Sequence, residues 1–190
     1  MTKLEYLLTF ISILIALGVS DIFVSLHKLL RVRNDIRWHW IPLTWAFTIF
    51  LSAINIWFAI HFYLDGMLSN TAGGFVLLIT PIICVLLLSM AVLPDNPLED
   101  EKNLLSWYFN QKNYIFSLFL LNWLSFVAVK LIQQYDAAVP LVRGQIALII
   151  PALIFAVLIS NRNYWIHAIL TIFVAIVFFM EVASQRMALT

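Results

Sequence analysis

Ionisable side chains inside long apolar stretches are the first residues of this chain that could do chemistry, and Asp21 is the clearest of them. A carboxylate inside a membrane span is costly, so it usually pairs with a cation or lines a hydrophilic path. Ser25 and Lys28 follow at helical spacing and share a face with Asp21. The pattern therefore predicts that Asp21 lines a pathway, or that it pairs with Lys28 or His27 as a packing device.

A second candidate is a polar stripe in the next apolar stretch. Thr44, Thr48, Ser52 and Asn55 recur there at i, i+4, i+8 and i+11. Polar groups on one side of a lipid-embedded helix must face protein or water, which predicts a hydrophilic path or binding cavity. The alternative is hydrogen bonding between helices or, for the hydroxyls, to the helix's own backbone. Asn55 is the stronger pathway candidate because an amide needs several partners.

Polar groups and prolines interrupt three later apolar stretches. Asn122 and Ser125 lie one turn apart and predict a polar contact with a partner helix. Pro81 and Pro151 each leave one backbone carbonyl without its helical donor. Such carbonyls bind cations in some transporters, although proline is also common in ordinary membrane helices.

A third set of charged residues is expected near the outer ends of the predicted helices. Its members come from the first, second, fourth and sixth apolar stretches: Glu5, His61, Lys130 and Glu181. Opposite charges at similar depth predict pairs that hold the helices together. The alternative is a proton-handling pair of His61 with a carboxylate.

Motifs for catalysis or cofactor binding are missing from the sequence. It has no glycine-rich phosphate loop and no cluster of Cys and His at metal-ligand spacing, so we expect no metal and no cofactor. Enzymatic activity ranks third among the possible functions, because only Asp21 or His61 could supply acid–base catalysis.

Composition defines the elements that must position these residues. Hydrophobic residues make up 63% of the 190 positions and charged residues 11%, too little polar surface for a soluble domain. Since ~20 apolar residues cross a ~30 Å hydrocarbon core, the sequence predicts an all-α fold, a polytopic transmembrane helical bundle of about six spans with short loops. We expect one transmembrane domain over residues 1–190. The predicted helices cover approximately 4–30, 41–64, 75–93, 114–132, 145–160 and 164–183.

Two connections between these helices carry further predictions. The tight link 161–163 predicts an antiparallel hairpin of the fifth and sixth helices. The third connection, 94–113, is predicted to be a cytoplasmic loop. Its aromatic stretch 104–109 predicts either a short helix in the membrane interface or an ordinary loop that leads into the fourth helix.

Positive charge predicts the orientation. Basic residues in short loops favour the cytoplasmic side, and they concentrate in the first connection: Lys28, Arg31, Arg33 and Arg37. The odd-numbered loops are therefore expected in the cytoplasm and both termini on the periplasmic or extracellular side. The same four residues are candidates for contact with anionic lipid headgroups. A net charge of +1 predicts no nucleic-acid partner.

Several short motifs resemble those of a group of small bacterial inner-membrane proteins to which no function is assigned. They comprise an early acidic residue, a Gly-containing first span that ends in Leu-Leu-Arg-x-Arg, a Trp-x-Trp-x-Pro entry to the second span, an amide-x-Trp-aromatic step, and Leu-Pro-Asp followed by Tyr-Phe. In this chain these are Glu5, 11–20, 29–33, 38–42, Asn55 with Trp57 and Phe58, 93–95, and 108–109. The resemblance covers about the first two thirds of the chain and implies a bacterial plasma membrane, without implying an activity.

Two functions follow as hypotheses. The first is an ion or small-solute channel or transport protein, expected to be a homo-oligomer because a bundle this small has little room for an internal water path. The second is a membrane-embedded sensor, effector or scaffold subunit that acts with a cytoplasmic protein partner.

Overall fold

Six α-helices make up the described part of the chain. A computed structural model describes residues 3–64, 72–96, 102–136 and 145–184, and their side chains within 5–58, 73–96, 102–132 and 149–184. In these ranges there is no β-strand, and the prediction of an all-helical bundle is confirmed. The helices are α1 (Lys3–Arg31), α2 (Trp40–Leu64), α3 (Ala72–Ala91), α4 (Leu104–Asp136), α5 (Gln145–Ser160) and α6 (Tyr164–Ser184).

Five of the six helices are long and apolar enough to cross a membrane. Helix α5 has 16 residues, a rise of ~24 Å against a hydrocarbon core of ~30 Å. Large apolar side chains such as Leu17, Leu153 and Ile169 cover the outer surface. So much apolar surface is unfavourable in contact with water and is favourable in contact with lipid chains. The chain is therefore compatible with a membrane-spanning bundle.

Helix α4 begins ten residues earlier than the sequence predicted. It starts at Leu104, where the side chain of Asn103 accepts the backbone N–H of Leu105 at 3.0 Å, as an N-cap does. Leu104 and Tyr108 are fully buried. The prediction of a loop over 94–113 is therefore wrong beyond residue 103, and so is a separate interfacial helix, because these first turns pack into the bundle.

The helices do not pack in chain order. Helix α3 packs against α1 and α4, and α2 packs against α6, α1 and α3. Helix α5 packs along α4 and makes few contacts with α6, although only residues 161–163 separate the two. The predicted hairpin of α5 and α6 therefore keeps its short connection but has little mutual packing.

Two kinds of contact form the core. At Gly18 the backbones of α1 and α3 approach closely, since a Cβ there would lie 3.1 Å from Oγ of Ser89. In the centre, the ring centroid of Trp45 lies 4.9 Å from that of Phe116 and 5.1 Å from that of Phe119, and Phe119 stacks on Phe155 of α5 at 5.2 Å. Aromatic rings therefore fill the space between α2, α4 and α5.

The connections after α1, α3 and α5 meet at one end of the bundle. Arg37 N–H donates to the Lys102 carbonyl at 2.8 Å, and Leu104 N–H donates to the Arg37 carbonyl at 3.2 Å. The rings of His39 and Tyr164 contact each other with centroids 5.7 Å apart. We call this the odd-loop end, formed by residues 32–39, 92–96, 102–103 and 161–163.

Candidate functional site

A half-open groove lies at the odd-loop end, between the end of α3 and the first turns of α4. Its volume is about 410 Å³. Polar and apolar groups line it in similar measure: Met90, Ala91, Leu93, Asp95, Asn96, Trp107, Gln111 and Tyr114. We call it the Asp95 groove. A carboxylate, two side-chain amides and an indole are groups that can bind water, cations or small polar solutes.

Asp21 lies close to this groove. Its carboxylate is within electrostatic range of Asp95, which repels its charge, and of Lys28, which attracts it. No direct ion pair joins Asp21 to Lys28 in the described part of the chain, and Oδ2 of Asp21 is buried without a hydrogen-bond partner. The structure therefore does not contain the direct pair of Asp21 and Lys28 that the sequence offered as an alternative.

Buried polar atoms without partners gather in the same region. Among the described side chains four such atoms occur, and three lie on α1 or at the start of α4: Asp21 Oδ2, Ser25 Oγ and Trp107 Nε1. Ser25 is only 1% exposed. An unsatisfied buried polar group costs about 1–3 kcal/mol, and water or a ligand usually satisfies it. This region is therefore the strongest candidate for a hydrated or ligand-binding site.

The polar stripe of α2 divides into two parts. The hydroxyls of Thr44 and Thr48 donate to the carbonyls of Trp40 at 3.0 Å and Thr44 at 2.8 Å. They satisfy their own helix, which is the backbone alternative that the sequence allowed. Ser52 is buried, and Nδ2 of Asn55 is the fourth buried atom without a partner.

The depths of these residues differ. The ring centroids of Phe23 and Phe50 are 5.8 Å apart, and α1 and α2 run in opposite directions from their short connection. Asp21 lies two residues further from the odd-loop end than Phe23, and Ser52 lies two residues further than Phe50, so Asp21 and Ser52 are at a similar depth. Asn55 is another turn away, so it is not part of the Asp95 groove.

Asn122 forms the interhelical contact that the sequence predicted. Its Nδ2 donates to the carbonyl of Pro81 at 2.9 Å, and the backbone carbonyl of Asn122 accepts a hydrogen bond from Oγ of Ser125 at 2.7 Å. Asn122 therefore joins α4 to α3 where the proline disturbs the α3 hydrogen-bond ladder. This contact occupies one of the two N–H groups of the Asn122 amide, and a role of Asn122 in a pathway stays a prediction.

Sequence reasoning missed a buried chain of hydrogen bonds that links α4 to α6. Oη of Tyr108 lies 2.6 Å from Nδ1 of His167, and Nε2 of His167 lies 3.0 Å from the carbonyl of Asn161. A carbonyl only accepts, so Nε2 carries the proton and Nδ1 accepts the Tyr108 hydroxyl proton. Nearby, Nε1 of Trp45 donates to Oγ1 of Thr171 at 2.9 Å. His167 and Thr171 are one turn apart, a spacing that the sequence shows but does not connect to α4.

Lys112 was also missed, because it was assigned to a loop. It is 3% exposed, and its ammonium donates to the carbonyls of Leu158 and Ile159 and to Oδ1 of Asn113. A cation on the last carbonyls of a helix is favourable, since these groups carry the negative end of the helix dipole. Lys112 therefore joins α4 to the C-terminus of α5.

The remaining predicted residues lie on the surface. Lys28, Arg31, Arg33 and Arg37 are exposed at the odd-loop end, as headgroup contacts require. Glu5, Lys130 and Glu181 are exposed on α1, α4 and α6, and the side chain of His61 lies outside the described residues. In the described ranges, helix α1 packs against α2 and α3 and not against α4 or α6, so pairing among these charges stays a prediction.

Metal ligands are not grouped in the described ranges, where no three His, Cys, Asp or Glu side chains lie close enough to hold an ion.

Comparisons with protein-family models, curated proteins and solved structures find no match to this chain.

Proposed function

We propose that this chain is an integral membrane protein that passes a cation or a small polar solute, and that the Asp95 groove is its vestibule at the odd-loop end. The observation that carries the proposal is the half-buried Asp21 carboxylate, with one unpartnered oxygen, beside a groove that contains a second carboxylate. A carboxylate in a span with a second carboxylate close to it is expensive unless water or a cation reaches the pair.

The route would run along α1 and α3 rather than through the middle of one subunit. The buried apolar rings of Trp45, Phe116 and Phe119 occupy the centre of the bundle. Among the described helices, only α2 and α3 pack against α1, so much of α1 stays open to a neighbour. A second copy against α1 would close the groove into a path, in accord with a homo-oligomer.

The exposed basic residues around Arg31 and Arg37 favour the cytoplasmic side for the odd-loop end, with both termini on the other side. On this orientation, which we propose for a bacterial plasma membrane, the carboxylates of Asp21 and Asp95 attract cations from the cytoplasm.

Flux in liposomes tests the function. Purified protein is expected to conduct one or more members of a panel of monovalent cations, protons and small neutral solutes. Asp95→Asn keeps the shape of the groove and removes its charge, so cation flux should fall at least severalfold while the protein elutes from a sizing column unchanged. Glu181→Gln removes an exposed carboxylate on α6 and serves as the matched control, with flux unchanged. Absence of flux for the whole panel would overturn the proposal.

A second function is favoured by the backbone tie between Arg37 and Lys102. It brings the exposed residues Arg33, Arg37 and Lys102 onto one surface, which is suited to a soluble partner with an acidic face. Affinity capture from native membranes, with Arg33→Gln and Arg37→Gln variants, tests it. A partner that is retained by the wild type and lost by both variants, with flux absent, would favour a scaffold or effector role over transport.

A further inference from the structure

A second cavity, away from the Asp95 groove, separates α5 from α6. Its volume is about 440 Å³, and only aliphatic side chains line it: Ile150, Leu153, Ile154 and Val157 of α5, with Ile166, Ile169 and Leu170 of α6. It exists because α5 packs on α4 while α6 packs on α2. We call it the α5–α6 cleft. A cleft that opens to the outside of a membrane-spanning bundle, with no polar side chain in its walls, meets lipid chains rather than water.

The mouth of this cleft is positively charged. Arg162 lies in the three-residue connection where α5 and α6 meet, and it is exposed. The charge of Lys112, held on the last carbonyls of α5, is close enough to Arg162 to repel it. No anion of the described residues pairs with Arg162. Two neighbouring cations without a counter-ion complement an anion such as a phosphate.

The dimensions match part of a lipid molecule. The walls run from Ile150 to Val157 along α5, a length of ~10 Å, which accommodates a segment of one acyl chain. Trp165, which is 70% exposed, and Tyr164 stand beside the mouth, where aromatic side chains mark the headgroup region of a bilayer. The charged mouth thus lies where a phospholipid headgroup would be, and the apolar walls lie where its acyl chain would be.

We propose that the α5–α6 cleft binds one acyl chain of an anionic phospholipid, whose phosphate lies against Arg162. The lipid fills the space that the weak packing of α5 and α6 leaves and neutralises the charge at their connection. It is a structural ligand, and the proposal is independent of any transport activity.

Native mass spectrometry of the delipidated protein, titrated with phosphatidylglycerol or phosphatidylcholine, measures this binding. The wild type should retain one tightly bound phosphatidylglycerol in preference to phosphatidylcholine. Arg162→Gln should weaken phosphatidylglycerol binding about fivefold, the equivalent of ~1 kcal/mol per basic residue, and leave phosphatidylcholine binding unchanged. Lys102→Gln, which removes an exposed cation from another connection at the same end, should change neither.

A second pair of variants tests the cleft itself. Leu153→Trp fills the cleft and should abolish the tight lipid adduct. Leu17→Trp makes the same change on α1 at nearly equal exposure (55% against 59%) and should keep the adduct. Thermal unfolding of all four variants identifies any that fail to fold, and only folded variants are compared.

Three outcomes would overturn the proposal. The first is equal binding of the two lipids by the wild type, and the second is equal loss of binding in Arg162→Gln and Lys102→Gln, which would mean unspecific surface charge. The third is a Leu153→Trp variant that keeps the adduct. If it also dissociates an oligomer measured by light scattering, the cleft is an interface between copies of the chain instead.

Discussion

The hydroxyl of Tyr108 donates a hydrogen bond to Nδ1 of His167 across 2.6 Å, and this contact joins the first turns of α4 to α6. Both residues are buried, at 1% and 0% exposure. The opposite ring nitrogen of His167 donates to the carbonyl of Asn161, so the imidazole is neutral and its position is set from two sides. The pair therefore links three segments at the odd-loop end: α4, α6 and the connection that contains Asn161.

Removal of that hydroxyl should destabilise the protein. Tyr108→Phe leaves Nδ1 of His167 buried without a donor, which is expected to cost about 1–3 kcal/mol. The measurement is the free energy of unfolding in detergent. Tyr114→Phe removes a hydroxyl from a half-exposed ring of the same helix and should have no measurable effect. If the two variants unfold alike, the contact contributes nothing to stability.

Lys112 should be far more important than an exposed lysine of the same helix. Lys112→Met keeps the length of the side chain but leaves the carbonyls at the end of α5 without their cation, a loss of up to ~2 kcal/mol. Lys130→Met, on the exposed surface of α4, should stay within ~0.5 kcal/mol of the wild type. Equal melting temperatures for both variants would contradict the assigned role of Lys112.

The close approach of α1 and α3 should make position 18 intolerant of size. Gly18→Leu would place a side chain where Ser89 and Leu86 already lie, and overpacking of this kind costs ~1–3 kcal/mol. Gly73→Ala is the matched change, since no atom lies within 4 Å of the added methyl group, and the greater helix propensity of alanine stabilises by up to ~1 kcal/mol. Opposite shifts of the melting temperature are expected, and a tolerated Gly18→Leu would show that the two helices separate easily.

His39 should make stability depend on pH. Its Nδ1 accepts the backbone N–H of Ile41 at 3.2 Å, and burial lowers the pKa of the imidazole below its usual 6.5. The unfolded chain therefore binds the proton at higher pH than the folded protein, so the stabilisation is complete above pH 6.5 and is lost as pH falls through the folded pKa.

His39→Asn keeps an acceptor at this N-cap and does not titrate. Melting temperatures at about pH 7.5 and about pH 5 should differ less for this variant than for the wild type. Because every other titratable group is the same in both proteins, the difference reports His39 alone. Identical pH profiles of the two proteins would show that His39 does not contribute to the pH dependence of stability.

Asp21→Asn should separate a functional carboxylate from a structural one. No direct ion pair would be broken, and the repulsion from Asp95 would be removed, so the variant should assemble normally and melt at the same temperature or higher. On the proposed function its flux should fall. A loss of assembly would instead point to a hidden cationic partner, because breaking a buried pair costs ~3–5 kcal/mol. A variant that matches the wild type in flux, assembly and stability would remove Asp21 from the site.

The helices themselves could be predicted from the sequence. Long apolar runs separated by short charged clusters specify where spans begin and end, because the bilayer penalises any unpaired backbone group and any isolated charge. The starts of α2 and α6 fall within one residue of the prediction. The start of α4 does not, because the polar residues 110–113 have the composition of a loop, while the cap that begins the helix is a single side chain, Asn103.

Pairing of the polar side chains was decided only by the tertiary structure. The sequence places Lys112 in a predicted loop and gives His167 no role, yet both side chains are buried. Lys112 binds the carbonyl of Leu158, 46 positions away, and His167 binds the hydroxyl of Tyr108, 59 positions away. Likewise, Thr48 donates a hydrogen bond to the backbone of its own helix, and Asn122 donates one to the carbonyl of Pro81. The Asp21 carboxylate lies within electrostatic range of Asp95. The local sequence determines whether a segment is apolar enough to be a helix in lipid. Which face of that helix meets which carbonyl depends on how all six helices pack, and that information is distributed along the whole chain.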